Sequence, residues 1–566
     1  MSIETQSLRP IRRLFGLLSK DKRDIGYLYL HAALGGLVAL SLPLGIQAII
    51  GLVLGGEVST SWILLTVLVT FGVVMAGALQ AVQWSITEVI QRRIFTRSAF
   101  EFGFRIPRFR PEAVGSTYTP ELVNRFFDTL SLQKGVAKVL LDLSTSGLQI
   151  IFGLLLLAFY HPVFIAFGAF LILLLVLIFR WTVPRGIATS LLESGEKYRL
   201  AHWLKELARA MNSFKLAGRT TLPEERTDEA VSAYLGHRSQ HFRVLMTQYA
   251  AVVAFKALIT AGLLVIGGLL VMENLINVGQ FVASEIVIIG VMGSAEKLML
   301  TMESVYDVLT AVEKMGQVTD VPLEEEREGV CVESLAPGGQ GLSLKLAAAG
   351  LRQGQYINRP VLDAVDLDVP GGSRVAVIGP SGSGKTSLLH VIAGLTPLDR
   401  GSMLVEGVPM ADLDRRDLRY RTGDSLEQEV LFEGTLAENI SVGRLGADLG
   451  SVREAAEAVG LMPLVKRLPE GFGTPLMSDG QGLSTGWMKR ILLARAIVGK
   501  PRLLVLDRPL QPFPMEEHDA IAEALAGVAG GEGWTVVAAS ADPAWLSRCT
   551  HIVRLEEGRI VDIQTA

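Results

Sequence analysis

The sequence is poor in cysteine and in charge. Two of its 566 residues are cysteine, Cys331 and Cys549, and neither belongs to a CxxC pair or a Cys/His cluster. This excludes a disulfide framework and a zinc site of the usual spacing, and it predicts two reduced thiols. Charged residues make up 19% of the chain and the net charge is −4. A near-neutral chain of this kind gives no case for a nucleic-acid partner.

The composition is instead that of a membrane protein, because 49% of the residues are apolar and the mean hydropathy is positive. Six apolar runs in the first half reach the ~20 residues that a bilayer crossing requires. They cover residues 25–54, 62–90, 139–160, 162–184, 247–272 and 276–300. The third and fourth runs meet at Pro162, which predicts a tight turn.

The basic residues orient these spans. The short loops near Glu57, His161 and Glu273 contain no Lys or Arg, whereas the two long loops are strongly basic. Their Lys and Arg residues include Arg92, Arg93, Arg97, Arg105, Arg108 and Arg110 in one loop, and Arg185, Lys197, Arg199, Lys205, Arg209 and Lys215 in the other. Because positive charge is retained inside, both long loops and both termini are predicted to be cytoplasmic. The short outer loops let the helices continue into the cytosol.

Residues 1–24 carry no signal-peptide pattern. The stretch "SLRPIRRLFGLLSKDKRD" is basic and amphipathic. We expect an interfacial helix on the inner membrane surface, with a solvated basic arm as the alternative.

A soluble domain follows the membrane part. The predicted boundaries are 25–315 for the six-span domain, 316–340 for a linker that includes the acidic "DVPLEEEREG", and 341–566 for the soluble domain. In this last part, short β-branched runs ("RVAVIG", "LLVLD", "TVVAAS") alternate with helical stretches. The alternation predicts an α/β domain with a largely parallel sheet flanked by helices.

One segment carries a specific motif. "GPSGSGKTS" fits G-x-x-x-x-G-K-[ST] and stands between the strand "RVAVI" and the helix "SLLHVIAGL", which is the context that a phosphate-binding loop needs. The predicted ATP-binding residues here are Gly379, Pro380, Ser381, Gly382, Ser383, Gly384, Lys385, Thr386 and Ser387. Backbone N–H groups would hold the phosphates, Lys385 would reach the β and γ phosphates, and Thr386 would ligate Mg²⁺. Asp507, which ends the strand "LLVLD", is the natural second partner of Mg²⁺.

Together these residues resemble an ABC exporter half-transporter, which has six membrane helices followed by one nucleotide-binding domain. The resemblance covers nearly the whole chain. "PELVNRFFDTL" and "ELARAMNSFKLAG" look like the coupling helices that rest on the ATP domains in that family. "LSLPLGIQAIIGLVLGG" faintly resembles exporters of the type I secretion and peptide group.

The resemblance implies further site residues. Tyr356 matches the aromatic residue that stacks on adenine, and Gln428 matches the Q-loop residue that touches Mg²⁺ and the attacking water. "LSTGWMKRILLARA" is similar to the family signature, so Ser484, Thr485 and Gly486 would contact the ATP of a partner subunit.

The departures from the family pattern concern hydrolysis. Arg508 stands where the family has its general-base Glu, and Ala541 stands where it has its switch His. The D-loop has Gln511-Pro512-Phe513-Pro514 instead of a sequence like SALD, and Thr485 and Trp487 replace a Gly and a Gln of the signature. Losing a positioned general base typically costs 10²–10⁴ in rate, so low or partner-dependent ATPase activity is expected. Arg508 either pairs with phosphate and holds ATP, or is a neutral replacement in a decayed site.

Two functions follow. The first is an exporter subunit that binds ATP at a hydrolysis-impaired site and couples dimer closure to export, as a homodimer or, preferably, with a catalytically intact sister chain. The second is a non-transporting regulatory or gating protein. The expected cofactors are ATP and Mg²⁺, held by Thr386, Gln428 and Asp507, in a multi-pass protein of the bacterial inner membrane.

Polar residues inside the spans are candidates for a cargo path. They are Gln47, Gln80, Gln83, Asp142, Lys256 and Glu285. A mid-membrane charge usually faces a cavity or a partner, so we place Glu285, Lys256 and Gln47 on the path. Hydrogen bonds between helices are the alternative, and we prefer this alternative for Asp142. The cargo is left open among peptide, lipid and small amphiphile.

Overall fold

A computed structural model of the chain describes residues 3–54, 60–114, 119–324, 329–336, 340–352, 360–426, 430–527 and 533–565. It divides into two compact units, Met1–Leu323 and Glu324–Ala566. The boundary falls inside the segment predicted as a linker.

The first unit is helical. Its helices are α1 (Ile3–Leu18), α2 (Lys22–Ala39), α3 (Ser41–Leu54), α4 (Thr60–Arg105), α5 (Pro111–Val114), α6 (Thr119–Val123), α7 (Asp128–Tyr160), α8 (Val163–Arg209), α9 (Met211–Ala217), α10 (Leu222–Met272) and α11 (Val278–Thr319). Short 3₁₀ turns cover Ser19–Asp21, Ile106–Arg108 and Asn124–Phe127. The two segments predicted as coupling helices form α6 with the turn after it and the end of α8 with α9.

Six helical stretches are long and apolar enough to cross a membrane. They are Pro10–Leu54, Thr60–Arg108, Glu121–Tyr160, Val163–Arg209, Leu222–Met272 and Val278–Thr319. In their most apolar windows, between 11% and 44% of the residues are buried inside the chain. Apolar side chains therefore cover the outside of the bundle, which is the arrangement of a multi-pass membrane protein.

The helices are longer than the apolar runs that predict them. α4, α8, α10 and α11 contain 46, 47, 51 and 42 residues. At ~1.5 Å per residue each exceeds ~60 Å, about twice the hydrocarbon thickness of a bilayer. The predicted first span, 25–54, is in turn divided between α2 and α3. Pro43 lies in the first turn of α3 and has no N–H to continue the hydrogen bonds of α2.

The basic N-terminal helix packs on protein. Ile11 and Leu14 of α1 lie against a buried cluster that includes Tyr306. Arg13 donates a hydrogen bond of 3.0 Å to Glu313 and pairs with Asp320. Part of the apolar face expected to contact lipid is therefore covered by the bundle, whereas Phe15 is 67% exposed. The membrane-surface location of this helix stays a prediction.

The second unit contains a mixed set of strands and helices. The strands are β1 (Leu344–Leu351), β2 (Leu362–Val369), β3 (Arg374–Ile378), β4 (Arg400–Val405), β5 (Val408–Pro409), β6 (Thr422–Ser425), β7 (Gly434–Thr435), β8 (Pro475–Leu476), β9 (Leu503–Asp507), β10 (Thr535–Ala539), β11 (His551–Glu556) and β12 (Arg559–Thr565). The helices are α12 (Val332–Leu335), α13 (Lys385–Ile392), α14 (Arg415–Tyr420), α15 (Leu436–Ser441), α16 (Leu449–Ala458), α17 (Met462–Val465), α18 (Thr485–Ile497), α19 (Met515–Leu525) and α20 (Pro543–Leu546).

The central sheet has the strand order β12-β11-β3-β10-β9-β6 and is parallel except at the β11/β12 hairpin. Every residue of β9 and β10 is buried. Successive residues of β9, such as Leu504 and Val505, belong to two different hydrophobic clusters. Apolar packing therefore covers both faces, as a parallel sheet requires, and the carboxyl ends of β3, β9 and β10 share one edge.

A second, antiparallel sheet was not predicted from the sequence. Its strand order is β2-β1-β4-β5. The sequence "LKLAAAGL" of β1 has a run of alanine and a glycine, and its pairing with β2 and β4 is interrupted by register shifts. Such a strand lacks a clear alternating pattern, because its bulges displace side chains from one face to the other.

Candidate nucleotide-binding site

The phosphate-binding loop joins β3 to α13 at the edge where the parallel strands end. Gly379 and Gly384 have φ angles of +151° and +99°. A Cβ atom on Gly379 would lie 2.0 Å from the carbonyl oxygen of Leu555, and one on Gly384 would lie 2.6 Å from that of Val361. Glycine is therefore required at both positions, and the main chain of the loop stays close to its neighbours.

Lys385 lies across this loop. Its Nζ donates hydrogen bonds to the carbonyl oxygens of Gly379 (2.9 Å) and Pro380 (2.7 Å). Burial lowers the pKa of Lys385, Asp507 acts in the raising direction, and Arg508 lowers the pKa further. The ammonium group is thus held in the concave part of the loop, where a phosphate would be its natural ligand.

Thr386 and Asp507 meet at the start of α13. The Oγ1 atom of Thr386 donates a hydrogen bond of 2.8 Å to Oδ2 of Asp507, which is 4% exposed. A hydroxyl and a carboxylate are oxygen ligands that suit Mg²⁺. No group of three or more His, Cys, Asp or Glu residues is arranged for a metal ion within the residues that the structure describes. Thr386 and Asp507 are the side chains of the described residues that would hold Mg²⁺.

Arg508 brings a cation to the same edge. Its main chain has a φ angle of +45°, and its N–H donates a hydrogen bond of 3.0 Å to the carbonyl oxygen of Ala539. Its Nε lies 3.5 Å from Oδ1 of Asp507, while its side chain is 50% exposed. The position that the family resemblance assigns to a carboxylate base thus holds a guanidinium group beside the carboxylate of Asp507.

Two further polar residues at this edge were missed by the sequence analysis. Lys489 of α18 donates from Nζ to the Oγ of Ser425 (3.0 Å) and to the main-chain oxygen of Asp507 (3.1 Å). It connects α18 to the ends of β6 and β9. Its spacing in the sequence gave no signal, because the three elements meet only in the folded sheet.

The other missed residue is His518, which lies beside the segment that replaces the D-loop. Its Nδ1 is 2.7 Å from Oδ2 of Asp542, and its Nε2 is 2.9 Å from the carbonyl oxygen of Phe513. Asp542 directly follows Ala541, the position expected for the switch His. The imidazole of His518 thus links the D-loop segment to the loop after β10.

The signature segment forms a well-capped helix start. The Oγ of Ser484 accepts a hydrogen bond of 3.4 Å from the N–H of Trp487, so Ser484 caps α18. Thr485 is exposed, and a Cβ atom on Gly486 would meet nothing closer than 4.0 Å. This helix terminus is open to a ligand from outside the chain. Tyr356 and Gln428, the other predicted nucleotide contacts, lie outside the described residues.

In the membrane unit, three of the six predicted polar residues, Lys256, Asp142 and Gln47, contact other helices. Lys256 of α10 forms an ion pair of 2.8 Å with Glu296 of α11, and Asp142 of α7 forms one of 2.9 Å with Lys297. Thr301 also donates a hydrogen bond of 2.8 Å to Asp142. The sequence analysis missed Glu296 and Lys297, because adjacent opposite charges near the end of an apolar run resemble a solvated helix end.

Gln47 and Glu285, the two other residues placed on the cargo path, differ in their contacts. Gln47 accepts a hydrogen bond of 2.7 Å from the hydroxyl of Tyr160. Glu285 is exposed on α11 and makes no hydrogen bond or ion pair within the described ranges of the chain. The cargo role of Glu285 stays a prediction.

Comparisons with known proteins agree with both units. A family model for the ABC transporter transmembrane region matches residues 25–294, and one described as ABC transporter matches residues 362–511. An ATP-dependent lipid A-core flippase of Desulfotalea psychrophila is 25% identical over 79% of this chain and 77% of its own length. A flippase of the same description from Cupriavidus pinatubonensis is 32% identical over 45% of this chain, but the match spans only 42% of that relative.

Two more similarities extend the comparison. The type I secretion system ATP-binding protein PrsD of Rhizobium meliloti is 35% identical over 38% of this chain and 37% of its own length. A solved bacterial Atm1-family ABC exporter with ATP bound has a TM-score of 0.78, covering 96% of this chain and 95% of that chain. At 17% sequence identity, this last similarity shows the fold.

Proposed function

Because this chain belongs to the ABC transporter family, with one transmembrane region and one ATP-binding domain, we propose that it is an exporter subunit whose own site holds ATP with little or no hydrolysis. Closure of the nucleotide-binding domains on ATP would be coupled to cargo export across the bacterial inner membrane. The basic inner loops and the bacterial relatives support this membrane and a cytoplasmic location for both termini.

One observation carries this proposal. Lys385 contacts the phosphate loop and Thr386 contacts Asp507, while Arg508 and Ala541 occupy the two positions that activate water in the family. A guanidinium group cannot accept a proton, so Arg508 is unable to act as a general base. Losing such a base typically costs 10²–10⁴ in rate.

The remaining residues have binding roles in this proposal. Lys385 and the N–H groups at the start of α13 bind the phosphates, and Tyr356 stacks on the adenine. Thr386 and Asp507, with Gln428 as the Q-loop residue that the family resemblance implies, would hold Mg²⁺, which would neutralise phosphate charge. Arg508 lies close enough to Asp507 to donate to the same phosphates, which stabilises bound ATP instead of its cleavage.

A partner subunit completes the proposal. In the family each ATP lies between the phosphate loop of one subunit and the signature of the other, so a single half-transporter needs a second chain. We propose a heterodimer with a catalytically intact sister chain, in which Ser484, Thr485 and Gly486 contact the ATP of the sister. The exposed start of α18 supports this role. Thr485 places a side chain where the family has glycine, so turnover at the second site is slowed.

The proposed cargo is an amphiphile. Relatives that include lipid A-core flippases and a fatty acid ABC transporter of Mycobacterium tuberculosis support this class. Within the membrane unit, Glu285 is the residue that we expect to contact a polar or cationic part of the cargo. If the Glu285→Gln variant transports every tested amphiphile and peptide like the wild type, the cargo role of Glu285 is wrong.

The experiment is reconstitution of the purified chain in proteoliposomes, alone and with its candidate sister chain. We expect ATP binding without turnover for the chain alone, and ATPase activity with amphiphile transport when the sister chain is present. The Lys385→Ala variant is the control for any contaminating ATPase. Turnover by the chain alone above this control would contradict the lost-base interpretation.

A second function is a non-transporting protein gated or regulated by ATP. This function is favoured because Arg508 replaces the general-base Glu of the family and Ala541 replaces its switch His. A homodimer would therefore lack the Glu and the His at both of its nucleotide sites. Tight ATP binding without turnover or transport under any pairing would establish this function in place of export.

A further inference from the structure

We propose that Arg508 takes over part of the charge compensation that Mg²⁺ provides in this family, so that the site binds metal-free ATP nearly as well as Mg-ATP. The inference rests on the proposed function, because it concerns the same nucleotide site. It assigns to Arg508 a specificity role, the selection of the nucleotide form, that goes beyond the loss of a base.

The fold holds the main chain of Arg508 at the site. Arg508 directly follows the last residue of β9, all of whose residues are buried, and its N–H is bonded to Ala539 at the end of β10. Its Nε is within 3.5 Å of Asp507. The charge of Arg508 also acts on Lys385, where it adds to the larger effect of burial in lowering the pKa. The cation is thus electrostatically part of the phosphate site.

The carboxylate that Mg²⁺ needs is already engaged. One oxygen of Asp507 accepts a hydrogen bond from Thr386 at 2.8 Å, and the other lies within ion-pair distance of Arg508. The Asp507 side chain is 3% exposed, so its hydrogen bond with Thr386 is poorly screened by water, whereas the Arg508 side chain is 50% exposed. A divalent cation entering this position has to share the carboxylate with a positive charge that repels it.

For the phosphates, in contrast, protein side chains supply positive charge at the site without a metal ion. Lys385 donates to the carbonyl oxygens of the phosphate loop, Lys489 donates to the main-chain oxygen of Asp507, and Arg508 lies beside the Asp507 carboxylate. Replacing the Glu of the family by Arg changes the charge at that position by two units. A guanidinium group also matches a phosphate with two parallel hydrogen bonds, which an ammonium group cannot do.

The test compares ATP affinity with and without Mg²⁺. The purified full-length chain in nanodiscs is titrated with ATP by calorimetry, in a Mg²⁺ buffer and in an EDTA buffer of equal ionic strength. For the wild type we expect the two Kd values to agree within about threefold. For Arg508→Glu we expect EDTA to weaken binding by more than about tenfold, since a carboxylate there requires a metal between itself and the phosphates. For Arg508→Ala, the loss of ATP affinity in EDTA should lie between the losses of the wild type and of Arg508→Glu.

Two controls separate the possible outcomes. Arg453→Glu makes the same charge change on the exposed face of α16 and should keep the wild-type ratio of Kd values. If Arg508→Glu does not fold, as judged by gel filtration, Arg508→Ala alone decides the direction of the change.

The inference is overturned if EDTA weakens wild-type binding by more than about tenfold, or if the Arg508 variants keep the wild-type ratio. These outcomes leave the proposed function intact, because ATP still binds. Absence of ATP binding in both buffers would overturn the proposed function and this inference together.

Discussion

The phosphate loop and the ends of β9 and β10 differ in how many residues of the family pattern they retain. The phosphate loop retains both of its essential glycines, Lys385 and the Thr386–Asp507 hydrogen bond. The ends of β9 and β10, one residue and two residues beyond the sheet, carry Arg508 and Ala541. In the proposed function, binding and hydrolysis are therefore separable, because they depend on different side chains at one sheet edge.

The largest effect should come from the retained part. Lys385→Ala removes a charge-assisted contact to the phosphates, so ATP affinity should fall about 10- to 100-fold. Lys466→Ala, which removes an exposed lysine after α17, is the matched control and should bind like the wild type. Calorimetric titration with ATP provides the measurement. Equal ATP affinities of the two variants would show that the phosphate loop has also lost its binding function. The difference between retained binding residues and replaced hydrolysis residues would then not hold.

The next effect concerns the replaced part. Restoring both positions with Arg508→Glu and Ala541→His should raise the ATPase rate of the chain by at least about tenfold, since a positioned base alone is worth 10²–10⁴. The same pair of changes in a Lys385→Ala background is the control. If the rate stays at the control level although ATP still binds, the defect lies elsewhere, for example in the Gln511–Pro514 segment or its His518–Asp542 contact.

A smaller effect is expected at the signature. Thr485→Gly removes a side chain from the exposed start of α18, and we expect it to raise the ATPase rate of the complex with a sister chain about two- to fivefold. Thr485→Ser, which keeps a side chain at this position, should stay close to the wild-type rate. A decrease with Thr485→Gly would indicate that the threonine hydroxyl contacts the ATP of the sister subunit.

The smallest effect on ATP affinity is expected from substitutions in the membrane unit. A Cβ atom on Gly186 would lie 2.2 Å from the buried ring of Tyr306, whereas one on Gly195 of the same helix would meet nothing within 4 Å. Gly186→Ala should therefore lower the stability of the membrane unit by about 1–3 kcal/mol, while Gly195→Ala should not. Thermal unfolding in detergent measures the difference. ATP affinity should be unchanged in both variants, and a change would show that this packing affects the nucleotide site.

The features that the sequence predicted are those encoded in one stretch of chain. The apolar runs identified six spans, since each run alone has to satisfy the bilayer. The phosphate loop was recognised because strand, glycines and helix follow one another between residues 374 and 392. Arg508 and Ala541 were located by their distance from strand ends, and those strands are where the hydrophobic pattern placed them.

The features that were missed depend on contacts between distant segments. The ion pairs of Glu296 with Lys256 and of Lys297 with Asp142 join residues that are at least 40 positions apart in the sequence. The same holds for Lys489 and Ser425, 64 residues apart, and for the packing of α1 on α11. No local pattern encodes which charges will meet, because the partners are chosen by the packing of helices and strands.

The most direct test of the separation between binding and hydrolysis is a single-turnover chase. The chain alone is loaded with γ-labelled ATP, unbound nucleotide is removed, and the label is followed as bound ATP or as free phosphate. We predict that the label leaves as intact ATP, at the dissociation rate, with no phosphate above the level of the Lys385→Ala control. Release of phosphate faster than release of ATP would show that another group activates water, and would contradict the assignment of Arg508 to a site that holds ATP.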